Sequence, residues 1–194
     1  MAKSDILYLD SPGGANTDKV LDAVMQRLKE GDIGHVVVAS DSGKTALKAI
    51  KKLRKSGAKI VVVTEQCGSE KEGQNSMSPD IEEEIVSAGA KVVRGTHALS
   101  GVERSITKKT GGSSRVEAIS ESLRSLFGQG MKVAVEITVM AADNGAIPCG
   151  PEVEIVAIGG TEWGSDTAVV VRPAHANGFF NLRVREIIAL PRKR

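Results

Sequence analysis

The chain has 194 residues, 41% of them hydrophobic and 26% charged, with a formal net charge of +2, which predicts one domain over residues 1–194 with a sizeable core. So small a net charge and an aromatic content of 3% argue against a nucleic-acid partner. A membrane span needs about 18 consecutive apolar residues, and no segment of the sequence has them. Cys67 and Cys149 match no metal-ligand spacing, so we expect a soluble cytoplasmic protein with reduced thiols, no membrane partner and no metal site.

The first half of the chain predicts two successive strand–helix–strand units, because buried β-branched runs alternate with helical spacing of apolar residues. Strands joined in this way are parallel. In chain order the elements are a strand at 6–9, a helix capped by Asn16 or Thr17, a strand at 35–39, a helix at 46–55, a strand at 59–64, a helix opened by Ser78-Pro79-Asp80 and a strand at 91–96. The loop at 65–77 is long for a connection after a strand, which is typical of a lid or binding element.

The second half adds helices and three further strands. The pattern predicts a short helix within 97–105, an amphipathic helix at 116–127, and strands at 154–158, 168–172 and 181–190. The loops between these last strands are short, so we expect antiparallel additions to the sheet edge. Residues 131–139 alternate strictly between apolar and polar side chains, which favours a strand, whereas 140–145 has the pattern of a helix end with a glycine cap.

The stretch from Ser40 to Thr45 joins a buried strand to a helix through small residues. The first amides of a helix lack partners and carry partial positive charge. With the hydroxyls of Ser40, Ser42 and Thr45 and the ammonium of Lys44, this turn is a candidate phosphate site. It is not a P-loop, since Val38 occupies the position of the first glycine. The alternative interpretation is a capped helix start with a solvated lysine.

Polar or small residues follow four of the predicted strands. They are Ser40 to Gly43, Thr64 to Gln66, Thr96-His97 and Gly159 to Thr161. Ligands of open α/β sheets bind at the carboxyl ends of parallel strands, so we expect a binding crevice there. His97 is the candidate for proton transfer, with a merely hydrogen-bonded histidine as the alternative. Trp163 either stacks on a planar ligand or covers the core edge.

Three segments resemble parts of the C-terminal α/β domain of pyruvate kinase. Residues 36–46 (VVVASDSGKTA) and the strand at 59–64 (KIVVVT) are similar to consecutive motifs of that domain, and residues 154–171 are similar to its closing hairpin. The whole chain resembles the stand-alone pyruvate kinase α/β-domain-like family, on the stretch at 96–104 (THALSGVER) and on Ala141-Ala142-Asp143.

This resemblance implies a three-layer α/β/α fold, with a mostly parallel sheet and antiparallel C-terminal edge strands. It also implies a helix at 131–142, against the alternation noted above, and a phosphate grip by Ser40, Ser42, Gly43, Lys44 and Thr45. The catalytic barrel of pyruvate kinase is absent, so we expect no pyruvate kinase activity.

The hypothesis that follows is a binding protein for a phosphorylated small molecule. Flavin mononucleotide (FMN) is the leading candidate, because the resemblance to the stand-alone family implies a flavin. The predicted ligand contacts are Ser40, Asp41, Ser42, Gly43, Lys44, Thr45, Thr64, His97, Gly159, Gly160, Thr161 and Thr167. Two alternatives stay open: an enzyme acting on a phosphorylated metabolite or using flavin for redox chemistry, with His97 as acid or base and Glu103 nearby, and a regulatory module that docks on another protein. A homo-oligomer is also left open.

Overall fold

The computed structural model describes residues 5–193, in which seven strands form one sheet. The strands are β1 (Leu7–Leu9), β2 (His35–Ala39), β3 (Lys59–Glu65), β4 (Lys91–Gly95), β5 (Ile155–Gly159), β6 (Thr167–Arg172) and β7 (Arg183–Pro191). Their order across the sheet is β1-β7-β6-β5-β2-β3-β4. β6 pairs antiparallel with β5 and β7, and every other described pair of strands is parallel.

Six α-helices connect these strands. They are α1 (Thr17–Leu28), α2 (Lys44–Leu53), α3 (Pro79–Ser87), α4 (Gly101–Thr110), α5 (Arg115–Phe127) and α6 (Gln129–Asp143), with short 3-10 helices at Gly14–Asn16, Arg54–Ser56 and Ala176–Asn181. α3 begins as its sequence predicts: the Ser78 side chain accepts from the Ile81 amide and Pro79 occupies the first turn. Over residues 5–193, every helix is too short or too polar to cross a bilayer.

Two apolar clusters lie on opposite faces of the sheet, so the helices form two outer layers. In β2, Val36 and Val38 pack on the side of α1, α2 and α3, whereas Val37 packs on the side of α5 and α6. This alternation is what a strand buried on both faces requires. The predicted α/β class, the mostly parallel sheet and the antiparallel C-terminal strands are therefore confirmed.

The strand predicted from alternation at 131–139 is wrong. These residues lie in α6, as the family resemblance implies, and nearly every residue from Gly130 to Ala142 is buried. A helix buried on all faces has no exposed polar stripe, so its sequence lacks the helical period. Buried Thr138 meets its hydrogen-bond requirement within the helix by donating to the Ala134 carbonyl at 2.7 Å.

β1 completes the sheet beyond β7. Leu7 pairs with Ala189 and Leu9 with Pro191, and the Arg192 amide donates to the Leu9 carbonyl at 2.8 Å. The first and last described strands are thus parallel neighbours. The C-terminal strands extend the sheet, and β1 forms the edge on that side.

Candidate functional site

A cavity of about 460 Å³ lies at the carboxyl ends of the parallel strands. The chain order reverses at β2, which has β3 on one side and β5 on the other, and this is where open α/β sheets bind ligands. The start of α2, which packs on one face of the sheet, and α6, which packs on the other, both contribute to the wall. The strand-end residues that line the cavity are Ser40, Asp41, Ser42, Thr64, Glu65, His97 and Gly160.

The first turn of α2 opens onto this cavity through Ser42, Lys44 and Thr45. Gly43 precedes the helix with φ +83°, a left-handed conformation that favours glycine. The buried Ser40 hydroxyl accepts from the Ala46 amide at 3.1 Å, which fixes the turn against the helix. Among the described residues, no acceptor is hydrogen-bonded to the Lys44 or Thr45 amide, so both remain available to an anion.

Acidic side chains line another part of the wall. Asp41 accepts from the Glu65 amide at 3.2 Å, and Glu65 in turn accepts hydrogen bonds from the Ser69 and Ser76 hydroxyls. Desolvation and the neighbouring Glu65 carboxylate raise the pKa of Asp41 above its ordinary value. These carboxylates are acceptors for donor groups of a ligand, such as hydroxyls.

A cluster of the buried Lys132 and Glu136 with the partly buried His97 lies on the α6 side of the cavity. Lys132 and Glu136, one helical turn apart, form an ion pair and are 3% and 1% exposed. The same Glu136 oxygen, Oε2, lies 3.1 Å from His97 Nδ1, and Oε1 accepts from the Leu99 amide at 2.9 Å. The carboxylate therefore ties α6 to the segment after β4.

The electrostatics of this cluster fix the histidine tautomer. Burial alone would raise the pKa of Glu136, but the hydrogen bond from His97 and the Lys132 ammonium outweigh it and hold the pKa at about 2. Burial lowers the pKa of Lys132, and the Glu136 carboxylate opposes this. An ionised carboxylate only accepts hydrogen bonds, so His97 Nδ1 carries the proton and Nε2 is left for a ligand.

We expect the depressed pKa of Glu136 to make stability depend on pH under acidic conditions. The folded pKa of about 2 lies below the ordinary 4.5, so the contribution is complete above about pH 5 and is lost as the pH falls towards 2. The difference corresponds to about 3 kcal/mol. Urea unfolding of the parent and of Glu136→Gln across pH 2–6 measures it. The stability gap between them should close on acidification, and a gap that is constant with pH would contradict the assignment.

Trp163 lines the cavity and also packs on the loop after β1, so stacking on a planar ligand stays a prediction. Its side chain lines the cavity and is 69% exposed. Its ring also packs so closely on Gly14 that a Cβ there would overlap it. The indole is thus held in place by the loop after β1 while most of its surface faces outwards.

The segments that build the cavity coincide with a known family. The family profile described as "Pyruvate kinase, alpha/beta domain" matches residues 18–171. The chain belongs to the pyruvate kinase α/β domain family. The matched range contains β2 to β5 and α2 to α6, so it supplies the whole wall described above. The resemblance inferred from residues 36–46 and 59–64 is confirmed.

Four predicted ligand contacts of this pyruvate kinase α/β domain do not line the main cavity. Gly43 packs against Ile81, and a Cβ on Gly159 would overlap the Gly130 carbonyl, so both glycines allow close packing of elements. Thr161 and Thr167 line a separate cavity of about 150 Å³. Both threonines are hydrogen-bonded to Asp166, whose carboxylate accepts from the Thr161 amide at 3.1 Å and the Thr167 hydroxyl at 2.9 Å.

Sequence reasoning missed the contribution of α6 to the site. Gln129, Lys132 and Glu136 line the cavity and fall on one helical face with Val133, Ile137 and Met140. The available signal was a lysine and a glutamate four residues apart inside an otherwise apolar segment.

In the described part of the chain, no group of three or more His, Cys, Asp or Glu is placed to hold a metal ion.

Proposed function

We propose that this pyruvate kinase α/β domain binds a phosphorylated small molecule in the 460 Å³ cavity, with FMN as the leading candidate. The observation that carries the proposal is that the first turn of α2 faces a cavity large enough for a mononucleotide. The phosphate would lie at Ser42 to Thr45, where two unpaired helix amides, two hydroxyls and the Lys44 ammonium converge.

The rest of the wall suits a ligand with hydroxyl groups and a planar ring. Asp41 and Glu65 offer acceptors for the hydroxyls of a polyol chain, and this use explains carboxylates so near a phosphate site. Trp163 offers an exposed aromatic face for stacking, which contributes about 0.5–1.5 kcal/mol beyond the area that it buries. FMN combines a phosphate, a polyol chain and an aromatic ring system in one molecule.

An absorbance spectrum tests the flavin directly. Purified protein should carry flavin absorbance or should take up added FMN at micromolar concentration, and it should bind riboflavin more weakly because riboflavin lacks the phosphate. Protein that is colourless and takes up no flavin removes FMN as the ligand. The phosphate hypothesis is then tested with inorganic phosphate and phosphate monoesters.

Lys44→Met separates ligand binding from folding. The Lys44 cation lies against the positive end of the α2 dipole, so its removal should leave the melting temperature of the ligand-free protein unchanged or slightly raised. The same change removes a charge-assisted hydrogen bond to phosphate, a class that contributes about 1.5–3 kcal/mol. FMN affinity should fall about tenfold or more, measured by titration calorimetry.

Lys48→Met is the matched control for this change. Lys48 is exposed one turn further along α2 and does not line the cavity. It should bind FMN as the parent does. A Lys44→Met variant that keeps the parent affinity would show that amides and hydroxyls hold the phosphate without the lysine.

A second candidate function is an enzyme that uses His97 as acid or base. The observation that favours it is the Glu136 carboxylate on Nδ1, because a histidine oriented in this way presents Nε2 for proton transfer. General acid–base catalysis contributes about 10²–10⁴-fold, so His97→Ala should reduce any turnover by that factor. A broad screen of phosphorylated metabolites is the measurement. Turnover that survives His97→Ala unchanged would exclude this role.

A further inference from the structure

The Lys132 ammonium has more hydrogen-bonding capacity than the described protein groups use. It carries three N–H donors, and its one hydrogen bond among the described residues goes to Glu136 Oε2. The Glu136 carboxylate is more fully engaged, since it also receives His97 Nδ1 and the Leu99 amide. Within the described residues, the hydrogen-bonding groups of this ion pair that lack a partner are therefore N–H donors of Lys132.

The Lys132 side chain, which carries these donors, forms part of the cavity wall. Lys132 is 3% exposed and is one of the cavity-lining residues, on the helical face that also carries apolar Val133, Ile137 and Met140. A cation so deeply buried has little access to bulk water, and leaving its donors without acceptors is unfavourable. The cavity is the space from which an acceptor can reach it.

The stability of the fold does not by itself require an ion pair between residues 132 and 136. Replacing a buried ion pair with well-packed apolar side chains is often neutral or stabilising, because desolvation cancels much of the attraction between the charges. Glu136 also accepts from the Leu99 amide, but on a helix that is otherwise largely apolar Lys132 is better explained by contact with a ligand than by folding.

We propose that Lys132 is a second ligand-binding cation of the cavity, which donates to an oxygen or nitrogen acceptor at the end of the ligand away from its phosphate. This inference rests on the proposed function, from which it takes the position of the phosphate at Ser42 to Thr45. It narrows the ligand class to phosphate monoesters whose other end carries a carbonyl oxygen or ring nitrogen. Glu136 acts as a positioning residue, because it holds the ammonium and aligns His97 beside it.

Binding of FMN and riboflavin to variants at the two lysines tests this assignment. Lys132→Met should weaken FMN and riboflavin equally, by about tenfold or more, because the lost contact is to the part that both share. Lys44→Met should instead leave riboflavin affinity unchanged and reduce the preference for FMN over riboflavin by about tenfold or more. The double variant Lys132→Met/Glu136→Gln leaves no unpaired charge and should bind both flavins as weakly as Lys132→Met does. It keeps the test valid if the single variant fails to fold. Parent affinity in the double variant would overturn the proposal.

A second measurement separates this inference from the choice of FMN. Crystals of ligand-free parent protein soaked in dimethyl sulfoxide should place its oxygen within hydrogen-bond distance of Lys132 Nζ, with the sulfur located by anomalous scattering. Lys132→Met should lose that site. If the parent takes up no flavin but shows the dimethyl sulfoxide site, FMN is wrong and the Lys132 assignment stands. If it takes up no flavin and lacks that site, the assignment is overturned as well.

Discussion

Glu136→Ala is expected to reduce the free energy of unfolding by about 3–5 kcal/mol. The change leaves the 3%-exposed Lys132 ammonium without its partner, and an uncompensated buried charge is among the most destabilising outcomes of a single substitution. It also removes the acceptor of the buried Leu99 amide. Urea unfolding followed by circular dichroism at pH 7 measures the effect.

The double variant Lys132→Met/Glu136→Gln should recover most of this loss. It removes the unpaired cation and keeps an oxygen that can accept from the Leu99 amide. Glu121→Ala is the control, because Glu121 is exposed on neighbouring α5 and its change should cost less than about 0.5 kcal/mol. A Glu136→Ala variant as stable as the Glu121 control would mean that Lys132 reaches solvent.

Asp166→Ala is expected to cost about 2–6 kcal/mol. The carboxylate is fully buried and accepts from the Gly13 amide at 2.8 Å, the Thr161 amide at 3.1 Å and the Thr167 hydroxyl. A hydrogen bond to a charged group contributes about 1.5–3 kcal/mol, and two of these donors are partly buried backbone amides that cannot turn away. The carboxylate links the loop after β1 to the loop after β5, so both loops should loosen.

Thermal and urea unfolding measure this loss, and Asp10→Ala is the control because Asp10 is exposed near the same loop. The loosening should also reach the cavity, since Trp163 is held by Gly14, beside Gly13. Trp163 is the only tryptophan, so its fluorescence reports on the loop directly. An Asp166→Ala variant with parent stability and an unchanged emission maximum would show that water replaces the carboxylate.

The α2 side of the cavity could be predicted from the sequence because its determinants are local. A buried strand, the small residues of SDSGKT and an amphipathic helix are contiguous, and strand ends of a parallel sheet meet at one edge. Ser40, Asp41, Ser42, Thr64 and His97 accordingly lie around one cavity. Whether a ligand contacts them stays a prediction.

The α6 side could not be predicted from alternation, because burial on all faces removes the period that distinguishes a helix from a strand. The alternation places Lys132 and Glu136 on one face of a strand, whereas in the structure they are buried in α6 beside His97 and line the cavity. The positions of Thr161 and Thr167 were missed for a different reason. The Asp166 carboxylate that binds both residues also binds Gly13, about 150 residues earlier, and such distant pairing leaves no local pattern.

The pairing of β1 with β7 has a consequence for the order of events during protein synthesis. β1 leaves the ribosome first among the described strands, but its partner is made last, since Leu7 lies beside Ala189. The strands β2, β3, β4 and β5 can assemble on the nascent chain before then, because each has its neighbours within the part already made. The first described strand to emerge is therefore the last to join the sheet, because β1 has no partner strand until translation reaches β7.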